Sequence, residues 1–148
     1  MTIPEMLRSH RRVALDANLF IYVFEAGGSE AITVGALLDA VEVAGAEIVV
    51  ASLALAEVAV RPASSRDEVM ADRYADAIRS IRRLHIVPLT ADIAVDAGVL
   101  RGRTGWSLAD AIHLATARQA GATVFVTNDR RLRSTPKLEV VQLADLAA

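Results

Sequence analysis

Cysteine is absent from the chain, which excludes a disulfide framework and a thiolate metal site. Lysine is almost absent, since Lys137 is the only one and every other fixed cation is arginine. Aromatic residues make up 4% of the sequence, too few for an aromatic-rich sandwich and better suited to stacked helices and parallel strands. No apolar run approaches the roughly 18 to 20 residues of a membrane span, and the first residues lack a signal-peptide pattern, so the sequence reads as cytoplasmic. Charge of one sign is also lacking: the formal net charge is −2, so overall charge does not announce a nucleic-acid binder. What is abundant is Ala, Val, Leu and Ile, within a hydrophobic content of 53% that excludes disorder. At 148 residues the chain fits a single domain, 1–148, able to bury about two thirds of its unfolded surface.

Strand and helix signals alternate along the chain. Met1 to Arg12 reads as a polar, basic lead-in. Val13-Ala14-Leu15 is a short buried strand that ends at Asp16 and turns directly into the helical run Leu19 to Phe24. After a break at Ala26-Gly27-Gly28-Ser29, Ser29 can cap a helix to about Ala44, and Gly45 ends it. Glu47 to Ala51 is a second strand, and Leu53 to Val60 a short helix closed by Arg61-Pro62. Pro62 to Arg66 reads as loop, Asp67 to about Leu84 as helix, and His85 to Leu89 as a third strand. Thr90 caps a helix to about Leu100, Arg101 to Gly105 is a flexible basic loop, and Ser107 opens the helix Leu108 to Gln119. Thr123 to Thr127 and Leu138 to Leu143 complete the strands. The alternation predicts a three-layer α/β/α sandwich around a mostly parallel sheet of four to five strands, joined by right-handed crossovers.

Four acids stand out against this background. Asp16 leaves the first strand where open α/β sheets place their ligands, although it can equally cap the helix that follows, a role Asn18 could also fill. Glu57 interrupts the apolar segment Ser52 to Val60, where an unpaired buried carboxylate would be costly. Asp110 completes Ser107-Leu108-Ala109-Asp110, which resembles a capping box, and an acid there also complements the helix dipole. Asp129 follows the strand ending at Thr127 and leaves the sheet at the same edge as Asp16; the plainer role for it is a turn residue. Two carboxylates 5 Å apart repel by about 3 kcal/mol at an effective dielectric near 20, so four converging acids require protons or cations. An all-oxygen donor set suits Mg²⁺ or Mn²⁺ and not zinc. Such a site activates water and neutralises phosphate charge, which points to phosphodiester hydrolysis.

Leu15-Asp16-Ala17-Asn18, the helical Glu57, Ser107-Leu108-Ala109-Asp110-Ala111-Ile112-His113, and Val126-Thr127-Asn128-Asp129-Arg130-Arg131-Leu132 together resemble the PIN-domain ribonucleases, and among them the VapC-type toxins of bacterial toxin–antitoxin pairs. The resemblance covers about residues 13 to 143. It implies a Mg²⁺- or Mn²⁺-dependent endoribonuclease in which Asp16, Glu57 and Asp110 ligate metal and Asp129 completes the site directly or through water. It further implies that Thr127 and Asn128 shape the substrate edge, that Asn18 braces Asp16 by hydrogen bonding, and that the partners are RNA, a cognate antitoxin and a second copy of the chain.

Other readings compete. A phosphatase of the haloacid-dehalogenase type needs a second Asp two residues after the first, where this chain has Asn18. A response-regulator receiver wants a pair of acids after its first strand and a lysine near its last, and Lys137 stands in the wrong place. A non-catalytic PIN module could use the apolar helices Ser29 to Ala44 and Asp67 to Leu84 to bind a partner. His113 reads as a packed core histidine, and His10 and His85 have no evident partner. Arg101, Arg103, Arg130, Arg131 and Arg133 flank the acids as solvated arginines or as phosphate contacts. Trp106 reads as packing at the start of a helix, with base stacking the alternative.

Overall fold

The computed structural model describes residues 1–148. Five strands form one sheet: β1 (Arg12–Leu15), β2 (Glu47–Ala51), β3 (Leu84–Val87), β4 (Val124–Thr127) and β5 (Glu139–Gln142). Every pairing is parallel, and the order across the sheet is β3-β2-β1-β4-β5. The helices are α1 (Ile3–Ser9), α2 (Ala17–Ile21), α3 (Gly28–Ala44), α4 (Leu53–Ser64), α5 (Glu68–Ser80), α6 (Ala91–Thr104) and α7 (Leu108–Gln119). A π-helical turn, Tyr22–Ala26, continues α2.

The apolar strand runs are explained by burial on both faces. Val13 and Leu15, Ile48 and Val50, and Val124 and Val126 enter a larger core with α1 to α5, while Ala14, Val49 and Phe125 enter a smaller core with α6 and α7. Period-two alternation thus divides each strand between two helix layers, and neither face is left to water. The chain travels outward from β1 through β2 to β3 with helices on one face. It then returns across the sheet to β4 through α6 and α7 on the other face, as one hand of crossover requires when direction reverses. The reversal puts a topological switch point between β1 and β4. No helix is long and apolar enough to cross a membrane.

Several boundaries differ from the sequence reading. The lead-in contains α1, started by a Thr2–Glu5 capping box and held by buried Ile3, Met6 and Leu7. Helix α3 begins at Gly28, after Gly27 at φ +66°, and Ser29 bonds Glu30 instead of capping. Helix α4 runs through Pro62 to Ser64, because a proline in the last turn removes only one donor and its buried ring packs inward. Helix α5 stops at Ser80, well short of Leu84; Arg83 takes φ +63° and reaches back to the carbonyls of Gly45 and Ala46. Strand β3 ends at Val87, before Pro88, which has no N–H for the ladder. Arg101 to Thr104, expected as loop, is the last turn of α6; Gly102 is tolerated, and the stop is Gly105 at φ +76°.

Candidate active site

Asp16 sits at the switch point. It follows the last residue of β1 and caps α2, with Oδ1 accepting from the Ala17 N–H at 2.7 Å. Its Oδ2 accepts from the Thr127 hydroxyl at 2.6 Å, and Thr127 ends the neighbouring strand β4. The same hydroxyl accepts from the Asp129 N–H at 3.0 Å, so one side chain ties the first acid to the backbone of the last. Asp16 is 6% exposed. Burial pushes its carboxyl up, against the opposing effects of the His113 charge and of the Thr127 and Ala17 hydrogen bonds.

Glu57 approaches from α4 and hydrogen-bonds Nε2 of His113, one turn beyond Asp110 on α7. His113 is 3% exposed, and its Nδ1 is buried without a partner. Burial works against protonation of the imidazole. The Glu57 hydrogen bond and the charges of Asp16, Glu57 and Asp110 outweigh it, and the group is raised above its ordinary value. Three of the four acids therefore act on one histidine. Asp110 lies in the first turn of α7, its N–H capped by the Ser107 hydroxyl at 3.1 Å.

Arg131 closes the other side. Its Nη2 lies 2.6 Å from Asp129 and 3.9 Å from Asp110, and its Nε also donates to Asp129. The Arg131 hydrogen bonds hold the Asp129 carboxyl below its usual range. Three side chains thus link the acids: His113 from α7, Thr127 from the end of β4 and Arg131 from the segment after it.

The other expected residues divide. Asn18 does not brace Asp16; its Oδ1 is buried without a partner, and the bracing role belongs to Thr127 and the Ala17 amide. Asn128 donates to the Tyr22 hydroxyl at 3.3 Å and accepts from the Ala144 N–H at 3.2 Å, so it spans from the π-helical turn to the last turn of the chain. Arg130 points to Asp145, 3.6 Å away and exposed. His113, read as packed core, is buried as expected but also faces the acids. The i, i+3 spacing from Asp110 was the available signal for that. Gln142 was not singled out; it donates to the Asp129 carbonyl at 3.0 Å from β5, and only strand pairing brings it there.

The donor chemistry fits a hard divalent cation, since every acid is a carboxylate and Asn18 offers an unused buried oxygen. The spacing is looser than the chemistry: no three Asp, Glu or His side chains stand close enough together to hold one ion in this arrangement. His113 and Arg131 occupy positions where positive charge is needed.

The PIN domain family model matches residues 13–138. Among curated proteins nothing matches. Among solved structures, VapBC2 from Rickettsia felis, crystallised with a DNA fragment from its promoter, is similar with a TM-score of 0.67 at 20% identity, over 88% of this chain and 98% of that one. FitAcB from Neisseria gonorrhoeae gives 0.66 at 21% identity, over 90% and 99%. The sarcin–ricin-loop-cleaving toxin VapC20 of Mycobacterium tuberculosis gives 0.60 at 19% identity, over 76% and 86%. At such identities these likenesses establish the fold. The family match runs from the strand that delivers Asp16 to the segment beyond Asp129, and with most of its length matched the chain belongs to the PIN-domain family.

Proposed function

We propose that this chain is a Mg²⁺- or Mn²⁺-dependent endoribonuclease, the toxin of a VapC-type toxin–antitoxin pair acting on cytoplasmic RNA. The observation that carries the reading is the buried Asp16 carboxylate at the switch point, held by Thr127, which also accepts from the Asp129 N–H, and near a His113 that bonds Glu57 and feels the charges of Asp16 and Asp110. A fold that buries a carboxylate and keeps three more around it retains a costly arrangement that stability alone does not explain. Asp16, Glu57 and Asp110 would hold the cation, with Asp129 beside them; when bound, it supplies an activated water and neutralises charge on the scissile phosphate.

The chain's own residues do the rest. The Thr127 hydroxyl and the Ala17 amide fix both oxygens of Asp16, so that carboxylate enters the reaction already oriented. His113 holds Glu57 toward the same point from α7 and offsets its charge until a cation does so. Arg131 does the same for Asp110 and Asp129, and its long exposed side chain can turn outward onto a substrate phosphate. The PIN-like unit spans the whole chain in this reading. Its partners are RNA, a cognate antitoxin and a second copy, and the apolar side chains left exposed on α3 and α5, Ile32, Val43 and Val69, support such partners.

The test is cleavage of total cellular RNA by the purified chain in Mg²⁺ or Mn²⁺, mapped by end sequencing, beside EDTA and Asp16→Asn controls. Discrete cuts that vanish in both controls are expected, and Glu57→Gln and Asp110→Asn should each lower the rate at least about a hundredfold. Cuts that persist in EDTA and Asp16→Asn would overturn the reading. Metal binding without cleavage would favour a PIN module that binds RNA or protein without cutting, to which the loose spacing of the acids lends support.

A further inference from the structure

The acids account for one side of the carboxyl edge; a cleft of about 760 Å³ lies between the end of α6, the end of α7 and residues 131–136. Trp106, just before α7, and Arg118, in its last turn, both line it. Arg103 comes from the end of α6, and Arg131 and Arg133 from the segment after β4. Four arginines and no acid line a cleft in a chain whose net charge is −2.

The arginines elsewhere around the site are engaged: Arg101 donates to the Trp106 carbonyl, Arg130 faces Asp145, and Arg131 is held by Asp129. The side chains of Arg103, Arg118 and Arg133, by contrast, make no hydrogen bond or ion pair within the chain; all three line the cleft, and Arg118 also borders the neighbouring hollow that contains Asp96 and Lys137. Arg131 belongs to both places. Its guanidinium lies on Asp129 and Asp110, while its carbonyl accepts from the Trp106 indole N–H at 3.1 Å, so one residue connects the cleft to two of the acids.

Three forks without side-chain partners, one each from the end of α6, the end of α7 and the segment after β4, suit several phosphates better than a single anion. A chain without net positive charge needs such a local field to hold a polyanion at all. We propose that this groove is the track of the RNA strand on one side of the scissile phosphate, with Arg103, Arg118 and Arg133 each holding a backbone phosphate. The assignment rests on the nuclease reading, and it gives sequence-independent grip, leaving base preference to other contacts.

Trp106 is the only tryptophan, so its emission reports on the groove. The experiment titrates the full chain with a 5′-labelled single-stranded RNA in EDTA, following anisotropy and Trp106 fluorescence over a range of salt, with cleavage in Mn²⁺ measured in parallel. RNA should change the emission, and log K should fall with log salt by about 0.7 for each phosphate held. Combined Arg103→Ala, Arg118→Ala and Arg133→Ala should lower that slope by about 2 and weaken binding roughly tenfold or more at moderate salt. Lysine at the same three positions should restore most of the slope, which mere loss of packing would not allow. Wild-type cleavage and binding that the triple alanine variant matches in affinity and slope would overturn the groove and leave the nuclease reading standing. An emission change produced by an acidic peptide but not by RNA would overturn it too. A wild-type chain that neither binds nor cuts RNA removes both.

Discussion

The two ends of the sheet handle charge in opposite ways. At the amino end, Arg11 donates to the Ala44 carbonyl at 2.7 Å, Arg12 to that of Ala120 at 2.7 Å, and Arg83 to that of Gly45 at 2.9 Å, each at the end of α3 or α7. His10 lies between Thr123 and Glu139, and His85 lies 2.6 Å from Glu47. Cations there meet helix C-termini and carboxylates, as the macrodipole favours, and little is left over. At the carboxyl end Asp16 and Asp110 meet helix N-termini in the same sense, but the acids outnumber their cations and Asp16 lies deep in the fold. Asn18, His113 and Gln142 each keep a buried polar atom without a partner. One end is a closed set of bonds that stabilises the fold. The other is an open set whose remaining valences await ligands, as expected of a functional site.

Thr127→Val breaks the open end most sharply without touching a carboxylate. The change keeps the shape, leaves Asp16 without its side-chain donor and leaves the Asp129 N–H unsatisfied. Removing such a supporting group typically lowers metal affinity or activity about 10- to 100-fold, and an unsatisfied buried amide costs about 1–3 kcal/mol. Cleavage rate and thermal unfolding of the purified variant measure the two effects; an unchanged rate would strip Thr127 of its orienting role.

Arg131→Ala acts in the other direction. Removing the internal counter-ion from Asp129 and Asp110 should raise Mn²⁺ affinity, read by calorimetry or by the spin signal of the free ion. Because the guanidinium is exposed and screened by solvent, the gain should be modest, a few-fold tighter site. Weaker Mn²⁺ binding would mean that Arg131 organises the acids instead of competing for them. The matching change at the closed end is Arg12→Ala, which removes the bond to Ala120 and should cost about 0.5–1.5 kcal/mol of stability with RNA cleavage unchanged.

The sequence made the open end more legible than the closed one. Asp16, Glu57, Asp110 and Asp129 were recognisable because carboxylates interrupt apolar runs or leave strand ends, and strand alternation assigned them to one edge. What local pattern did not carry is pairing across the sheet. Thr127 next to Asp16 depends on β4 lying beside β1, and Gln142 near Asp129 on β5 lying beside β4. Arg131 reads as one of several loop arginines until the fold sets it between two acids. At the closed end the partners of His10, His85 and Arg12 are also distant in sequence, and α1 escaped notice because its buried residues sit among polar ones. Element ends followed the same logic: the third strand was read through Pro88 to Leu89 and the sixth helix was ended near Leu100 ahead of Gly102, while Pro62 was read as a helix stop, because what a proline or glycine does depends on its place in the element.

The smallest effect separates the two ends by the sign of their pH dependence. Glu47 is half-buried, and hydrogen bonding to His85 lowers its carboxyl, with the Arg83 charge adding to this. A carboxyl lower in the fold than in the unfolded chain, where glutamate titrates near about 4.3, contributes stability above that value and loses it as pH falls through the folded one. Asp16 has the reverse sign. Its carboxyl is raised by burial, so its contribution is fullest below the unfolded value and is lost as pH rises through the folded one. Melting temperature followed from about pH 3 to 7 without metal should therefore flatten on the acid side in Glu47→Gln, whereas Asp16→Asn should relieve a loss that grows toward neutral pH. Added Mn²⁺ should cancel most of the difference between wild type and Asp16→Asn while leaving the difference between wild type and Glu47→Gln unchanged, because only Asp16 belongs to the proposed cation site. If both variants shift the acid limb alike, the carboxyl end is not the strained one, and Asp16 is simply a satisfied helix cap.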